Sequence, residues 1–292
     1  MSQNKKILKT GIIMILITLV ISVSISFFLR LDKPVFLKSY LELKLHELDN
    51  GYYRDSQFEL RYITNANDYR VVNGIEFIDM PELHACASEY NHGFMFSGFN
   101  DTSKTMPGQI EAMYSLRTVY IQLDTYIVED PIDELHLTRA KVYFSDGYIQ
   151  TVDIGDIVLI DDEKTNDYLE FKGSGSSDTN LFAVKEDITL LKVDSPLLMN
   201  IEDLIDIEID NTDYRNVKGI KYSKGHSLQT KSVLSEINDP ISKLNSYHIR
   251  PRIYFEDNER NILYTDVNGF YYKGHNFELL DLIKYLRAEE AI

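Results

Sequence analysis

Arg117-Thr118-Val119-Tyr120-Ile121-Gln122-Leu123-Asp124-Thr125-Tyr126-Ile127-Val128 decides the fold class. Val119, Ile121, Leu123 and Ile127 fall on one face and Thr118, Tyr120, Gln122, Asp124 and Tyr126 on the other. That is the period of two of a strand with one dry side and one wet side. Ile205-Asp206-Ile207-Glu208-Ile209-Asp210 repeats the pattern without a fault. Ala140–Phe144 and Tyr148–Val152 flank Ser145-Asp146-Gly147, and Asp-Gly between two such runs predicts a type I′ hairpin. Val217–Tyr222, Ile253–Phe255, Ile262–Thr265 and Phe270–Lys273 extend the list, with Asn268-Gly269 as a further tight turn.

Helical spacing is confined to the two ends and one short turn near Asn200. Asn276 is placed to cap a helix over Phe277–Arg287, whose Leu279, Leu282, Ile283 and Leu286 share one stripe. Many short antiparallel strands with a terminal helix predict a mainly β chain, a β-sandwich or curled sheets. Three stretches read as loops: Asp161–Asp167, Lys172–Asn180 and the aromatic-rich Met80–Gly108.

The N-terminus is a different material. Thr10 to Leu29 carries no charge, and it is long enough for a helix to cross a hydrocarbon core of roughly 30 Å. Lys5, Lys6 and Lys9 precede it, which favours a cytoplasmic N-terminus and an exported body. A cleaved signal peptide would have a shorter apolar region and a small-x-small site. The nearest such site is Ser24-Ile25-Ser26, so the reading is an uncleaved single-pass anchor.

Removing Lys5, Lys6, Lys9 and Arg30, which no acid accompanies within 1–30, leaves 26 basic and 46 acidic side chains and a net charge of −20. Such a surface is repelled by anionic lipid and is expected to stand off the membrane. It also argues against a nucleic-acid partner, which needs clustered positive charge. The expected organisation is a tail and anchor over 1–30, a stalk over 31–57, a β-rich domain over 58–235 and a smaller α+β unit over 236–292. In the stalk, Leu37, Leu41, Leu45 and Leu48 recur at helical spacing, against a rival strand alternation of Leu41, Leu43 and Leu45.

Arg139–Asp146 resembles Arg250–Asp257 at an offset of 111 residues, which would make the second unit a partial repeat of the first. The competing explanation is that strand and turn chemistry reuses the same few residues.

No spacing with a catalytic mechanism is present. Gly173-Ser174-Gly175-Ser176-Ser177 lacks the second glycine of a nucleophile elbow, and no phosphate loop or His-Glu-x-x-His occurs. Cys86 has His84, Glu82, Glu89 and His92 nearby, at a spacing that fits no zinc pattern. One cysteine in 292 residues excludes an internal disulfide. Asp206, Glu208, Asp210 and Asp213 form an acidic row that a calcium ion would bridge only with help from loop carbonyls.

No catalytic residue, metal site or cofactor is expected. Tyrosine, at 20 residues, supplies the binding candidates Tyr120, Tyr126 and Tyr143 on wet strand faces. The expectation is a membrane-anchored extracytoplasmic binding or assembly module with a protein partner at the membrane or cell surface. The rival expectations are an anchored hydrolase and a cation- or ligand-sensing accessory subunit.

Overall fold

The computed structural model describes residues 2–47, 53–54, 57–90, 108–124, 134–161, 168–174, 179–235, 237, 239–267, 269–274 and 278–292. In chain order the first strands are β1 (Val35–Phe36), β2 (Ser39–Glu47), β3 (Tyr53–Arg54), β4 (Gln57–Asn65), β5 (Val72–Phe77) and β6 (Ala85–Ser88). Then come β7 (Gln109–Glu111), β8 (Tyr114–Leu123), β9 (Glu134–Phe144) and β10 (Ile149–Asp161). The second half holds β11 (Leu169–Ser174), β12 (Thr179–Val184), β13 (Ile188–Asp194), β14 (Ile205–Ile209), β15 (Thr212–Asp213) and β16 (Lys221–Tyr222). It ends with β17 (Ser227–Leu234), β18 (Ser246–Ile249), β19 (Arg252–Glu256), β20 (Ile262–Asp266) and β21 (Phe270–Lys273). Helices span Ser2–Phe28 (α1), Pro240–Leu244 (α2) and Leu279–Ala288 (α3).

These strands make a mainly β protein of several sheets. One sheet runs β1-β4-β8-β6 and faces another that runs β2-β10-β9-β5. Leu60, Tyr62, Val119 and Ile121 from the first meet Ile75, Phe77, Val142 and Leu159 from the second in one buried core. The second half repeats this plan. There β11-β12-β17-β14 faces β16-β13-β19-β20 across Ile205, Ile207, Leu228, Leu190 and Phe255. Each half therefore has the Greek-key strand order of an immunoglobulin-type sandwich, an architecture that many unrelated proteins share.

The two similar stretches occupy equivalent places. Arg139–Asp146 lies on β9 and its turn, and Arg250–Asp257 on β19 and its turn; each strand is internal to its sheet and hairpins with the next. The division between sandwiches falls between β10 and β11, not near residue 235. Strands from beyond 235 instead enter both halves: β18 pairs parallel with β2, and β19 pairs with β13.

β10 carries the junction. Ile157, Val158, Leu159 and Ile160 are all buried, Ile157 and Leu159 in the first core, Val158 and Ile160 in the second. A strand covered on both faces reads as a continuous apolar run, and this one does. Gly155 lies at the β10 bulge with φ +94°, where a Cβ would come 2.4 Å from the Ser39 carbonyl oxygen. Gly155→Ala should therefore cost at least about 2 kcal/mol, read by urea denaturation; a neutral result would mean that β2 can move aside.

Several expectations need correcting. The stretch 31–57 is not a stalk: Leu31, Val35, Phe36 and Leu37 are buried, and 39–47 is a strand between β10 and β18. Leu41 and Leu43 alternate into the first core, so the strand pattern prevails over the helical one because both neighbours supply ladder partners. β6 falls inside the stretch 80–108 read as a loop.

The hairpin at Asp146-Gly147 forms, but only Gly147 has positive φ, at +85°. Phe144 and Tyr148 close a three-residue loop, whose last residue takes the left-handed conformation. β20 and β21 belong to different sheets, so Gly269 lies on a crossover and not in a hairpin; Asn268 is outside the described residues.

α3 begins two residues later than predicted, with Glu278 preceding it; Asn276 is outside the described residues. Its Leu282, Tyr285 and Leu286 join Leu31, Val35, Leu37, Ile63 and Leu116 in a third cluster on the outside of the β1-β4-β8 sheet. The expected transmembrane helix is not shown. Among the described residues no helix is long and apolar enough to cross a membrane.

Candidate functional site

Strand phase sends the predicted tyrosines apart. Val119 and Ile121 point into the first core, so Tyr120 points out from the β4-β8-β6 sheet, level with Glu59 and Ser88 on its neighbours. Val142 and Phe144 point into the same core from the opposite sheet, so Tyr143 points out the other way. The Tyr143 ring packs beside Gly74, and its hydroxyl donates to Glu76 Oε2 at 2.7 Å. Lys141 Nζ reaches Glu76 Oε1 at 2.9 Å. Tyr120 and Tyr143 thus occupy opposite outer faces of one sandwich and do not form one surface. Tyr126 lies outside the described residues.

The other candidates are dispersed as well. Cys86 is exposed on β6, while Glu89 turns inward to accept from the Tyr62 hydroxyl at 2.5 Å. His92 lies outside the described residues. In the acidic row, Glu208 faces Lys231, Asp213 pairs with Arg215, and Asp210 accepts from the Gln229 amide at 2.8 Å beside His226. Asp206 has only the Ser235 hydroxyl, at 3.4 Å, while the other three each have a local cation or amide, as on a solvated acidic face. Among the described residues no three His, Cys, Asp or Glu side chains gather to hold a metal ion.

What the fold does assemble is two sets of buried charges. The first lies inside the first sandwich. Arg117 is in phase with Val119 and Ile121 and is carried inward with them, its side chain fully buried beside Glu89 at 3.7 Å. Its guanidinium donates to the carbonyls of Arg70, at 2.6 Å, and Asp68. Glu89 also accepts from the Val72 amide at 2.6 Å. Burial raises the Glu89 pKa against the pull of these donors, and burial and the Glu89 charge raise that of Tyr62. On Asp68, burial alone would raise the pKa, but bonds from Arg70 and Thr64 outweigh it and hold it at about 2.

The second set joins the two sandwiches. Glu42, on the β2 face opposite Leu41 and Leu43, accepts from the amides of Leu197 at 2.9 Å and Arg250 at 2.7 Å. Burial raises its pKa more than those bonds lower it. Lys44 pairs with Asp266 at the end of β20, and the Arg252 guanidinium lies 4.8 Å from the Tyr264 ring centre. Within the first sandwich, Arg61 on β4 instead ties down the segments flanking β18 and β21, donating to the carbonyls of Gly274 and Leu244, both at 2.7 Å, and burial pulls its pKa down to about 10. These groups bridge segments distant in sequence, and their partners are chiefly backbone, so they act as fasteners. The signal for Arg117 was its phase: a charge on the dry side of an alternating strand.

One exposed group has a pH signature. His136 on β9 sits between Asp156, at 2.8 Å from Nδ1, and Glu134, at 2.9 Å from Nε2. Burial alone would lower its pKa, but the hydrogen bonds and charges of both acids outweigh that and raise it above 6.5. A raised folded value gives stability that is fully present below the unfolded pKa and is lost as pH rises through the folded one. His136→Ala should therefore lower the melting temperature more at about pH 6 than at about pH 8.5. Equal losses at both would show that the clamp is inert.

Comparison with known proteins gives no family for the chain. No protein-family model matches the chain, and no curated protein does. Among solved structures, the fibronectin(III)-like modules of Clostridium thermocellum CbhA align with 85% of this chain and 97% of theirs. They share 9% identity at a TM-score of 0.19, which is too low to carry an argument. The class defined by the fold alone is thus a tandem β-sandwich protein.

Proposed function

We propose that the protein is a single-pass, membrane-anchored, extracytoplasmic tandem β-sandwich that works by binding or assembly and not by catalysis. One observation carries the anchored reading. Along α1, Leu8, Ile12 to Ile17, Leu19 to Ile21 and Val23 are all at least 45% exposed, with no polar side to the helix and no cover from the sandwiches. Thr18 returns its hydroxyl to the Met14 carbonyl at 3.0 Å, so this donor is satisfied within the helix. A helix of this kind needs apolar surroundings, and the uncharged run continues to Leu29.

The binding reading is supported by what the described side chains do: the buried charges fasten segments together, and the exposed candidates are scattered over opposite faces. A protein partner at the membrane or cell surface fits a body of net charge −20 that has basic or cationic surfaces to attract.

The test is flotation of the full chain with phosphatidylcholine vesicles, with and without residues 1–30. The full chain should float and resist carbonate extraction, and the shortened chain should stay in the aqueous fraction. Flotation of both, or of neither, would overturn the anchored reading. Crosslinking in intact cells that recovers no specific partner would count against the binding reading.

A further inference from the structure

We infer that the end of the first sandwich that receives α1 is itself a membrane-contact surface, with Tyr69 and Ile110 resting in the headgroup layer. This rests on the anchored reading above. It follows from how the helix is joined to the fold. Phe28 ends α1, and Leu31 is already 3% exposed. The residues between them are held from both sides. The Tyr114 hydroxyl donates to the Leu29 carbonyl at 2.7 Å. Asn65 accepts from the Leu31 amide at 3.0 Å and donates to the Leu31 carbonyl at 2.7 Å. The Ala66 amide then donates to the Met113 carbonyl at 2.8 Å, tying together the two turns that surround the exit.

Such a junction has no slack. Three residues reach about 10 Å at full extension, and the layer outside the hydrocarbon core is roughly 5–8 Å thick on each side. With Thr10–Leu29 in the core, the turns at 65–68 and 112–113 lie at the headgroups. The exposed residues at this end suit that depth. Tyr69 is 80% exposed and Ile110 is 55% exposed, a phenol and an aliphatic chain that the protein leaves largely open. Tyrosine prefers the interface because its ring is apolar and its tip is wet. Charge does not oppose the contact: Arg30, Lys33 and Arg70 offset Asp32, Asp68 and Glu111, unlike the acidic body beyond. The loop carrying Tyr69 is pinned, since Arg117 holds the carbonyls on either side of it.

Spin labels test this on the full chain in phosphatidylcholine vesicles. In a Cys86→Ser background, single cysteines replace Ile17, Tyr69, Ile110 or the distant, exposed Lys224. Accessibility to a water-soluble nickel chelate should be several-fold lower at 69 and 110 than at 224, and lowest at 17. Labels at 69 and 110 as accessible as the one at 224, with 17 still protected, overturn the contact surface and leave the anchor standing. A water-exposed label at 17 overturns the anchored reading itself. Asn65→Ala, which removes both bonds to Leu31, should raise accessibility at 69 while 17 stays protected; no change would mean that the junction does not hold the domain down.

Discussion

Arg117→Ala should destabilise the first sandwich by about 3–5 kcal/mol, a large share of the roughly 5–15 kcal/mol that holds a domain together. The substitution strands Glu89, whose side chain is fully buried, and orphans the carbonyls of Asp68 and Arg70. Removing one partner of a buried pair is expensive mainly because the other remains. Adding Glu89→Ala should therefore cost much less than its separate effect, and a double-mutant cycle in urea would show the coupling. Strict additivity would mean that the two charges are solvated independently. Arg117→Ala should also release the loop that carries Tyr69, so amide exchange there should quicken before global unfolding.

The second large effect belongs to the other half. Ile207 is 1% exposed and Ile209 is 0% exposed, both facing the second core from β14. An aspartate at either place buries a carboxylate with no cation opposite it, at more than about 4 kcal/mol each. The pair of substitutions should abolish the cooperative transition of the second sandwich in circular dichroism. Changes at Asp206 and Glu208, one residue out of phase, should stay within about 0.5 kcal/mol. A soluble and cooperative Ile207→Asp/Ile209→Asp protein would reverse the assignment of faces.

The contrast between those residues explains what could be seen in advance. Alternation reports which side of a strand is dry, and it assigns Ile207 and Val119 to the core and Tyr120 to the opposite face, as the fold has them. It is silent about which strand lies next door. Leu41 and Leu43 alternate equally well in a stalk or in a sheet, and only the ladders to β10 and β18 decide between them. Continuous runs such as Ile157–Ile160 mark burial on both faces, but they do not say which two cores meet there. The candidate tyrosines show the same limit: Tyr120 and Tyr143 both point away from the core, yet they belong to opposite sheets. Glu42 was the least visible, because a charge on the face opposite Leu41 and Leu43 looks solvated until its backbone partners, distant in sequence, are known.

β2 has a further consequence, for the order of events during synthesis. It leaves the ribosome early, but it pairs with β10 from Gly155 onward and with β18 from Ser246 onward. One of its edges must wait for over a hundred residues of chain and the other for about two hundred. Contacts that distant close slowly, and an open strand edge meanwhile offers itself to any neighbouring chain. If the body is exported behind its anchor, β2 would be among the first strands across and the last to be completed. A holding factor at the exit site, or a pause before β18 emerges, would then govern yield more than the equilibrium stability of either sandwich.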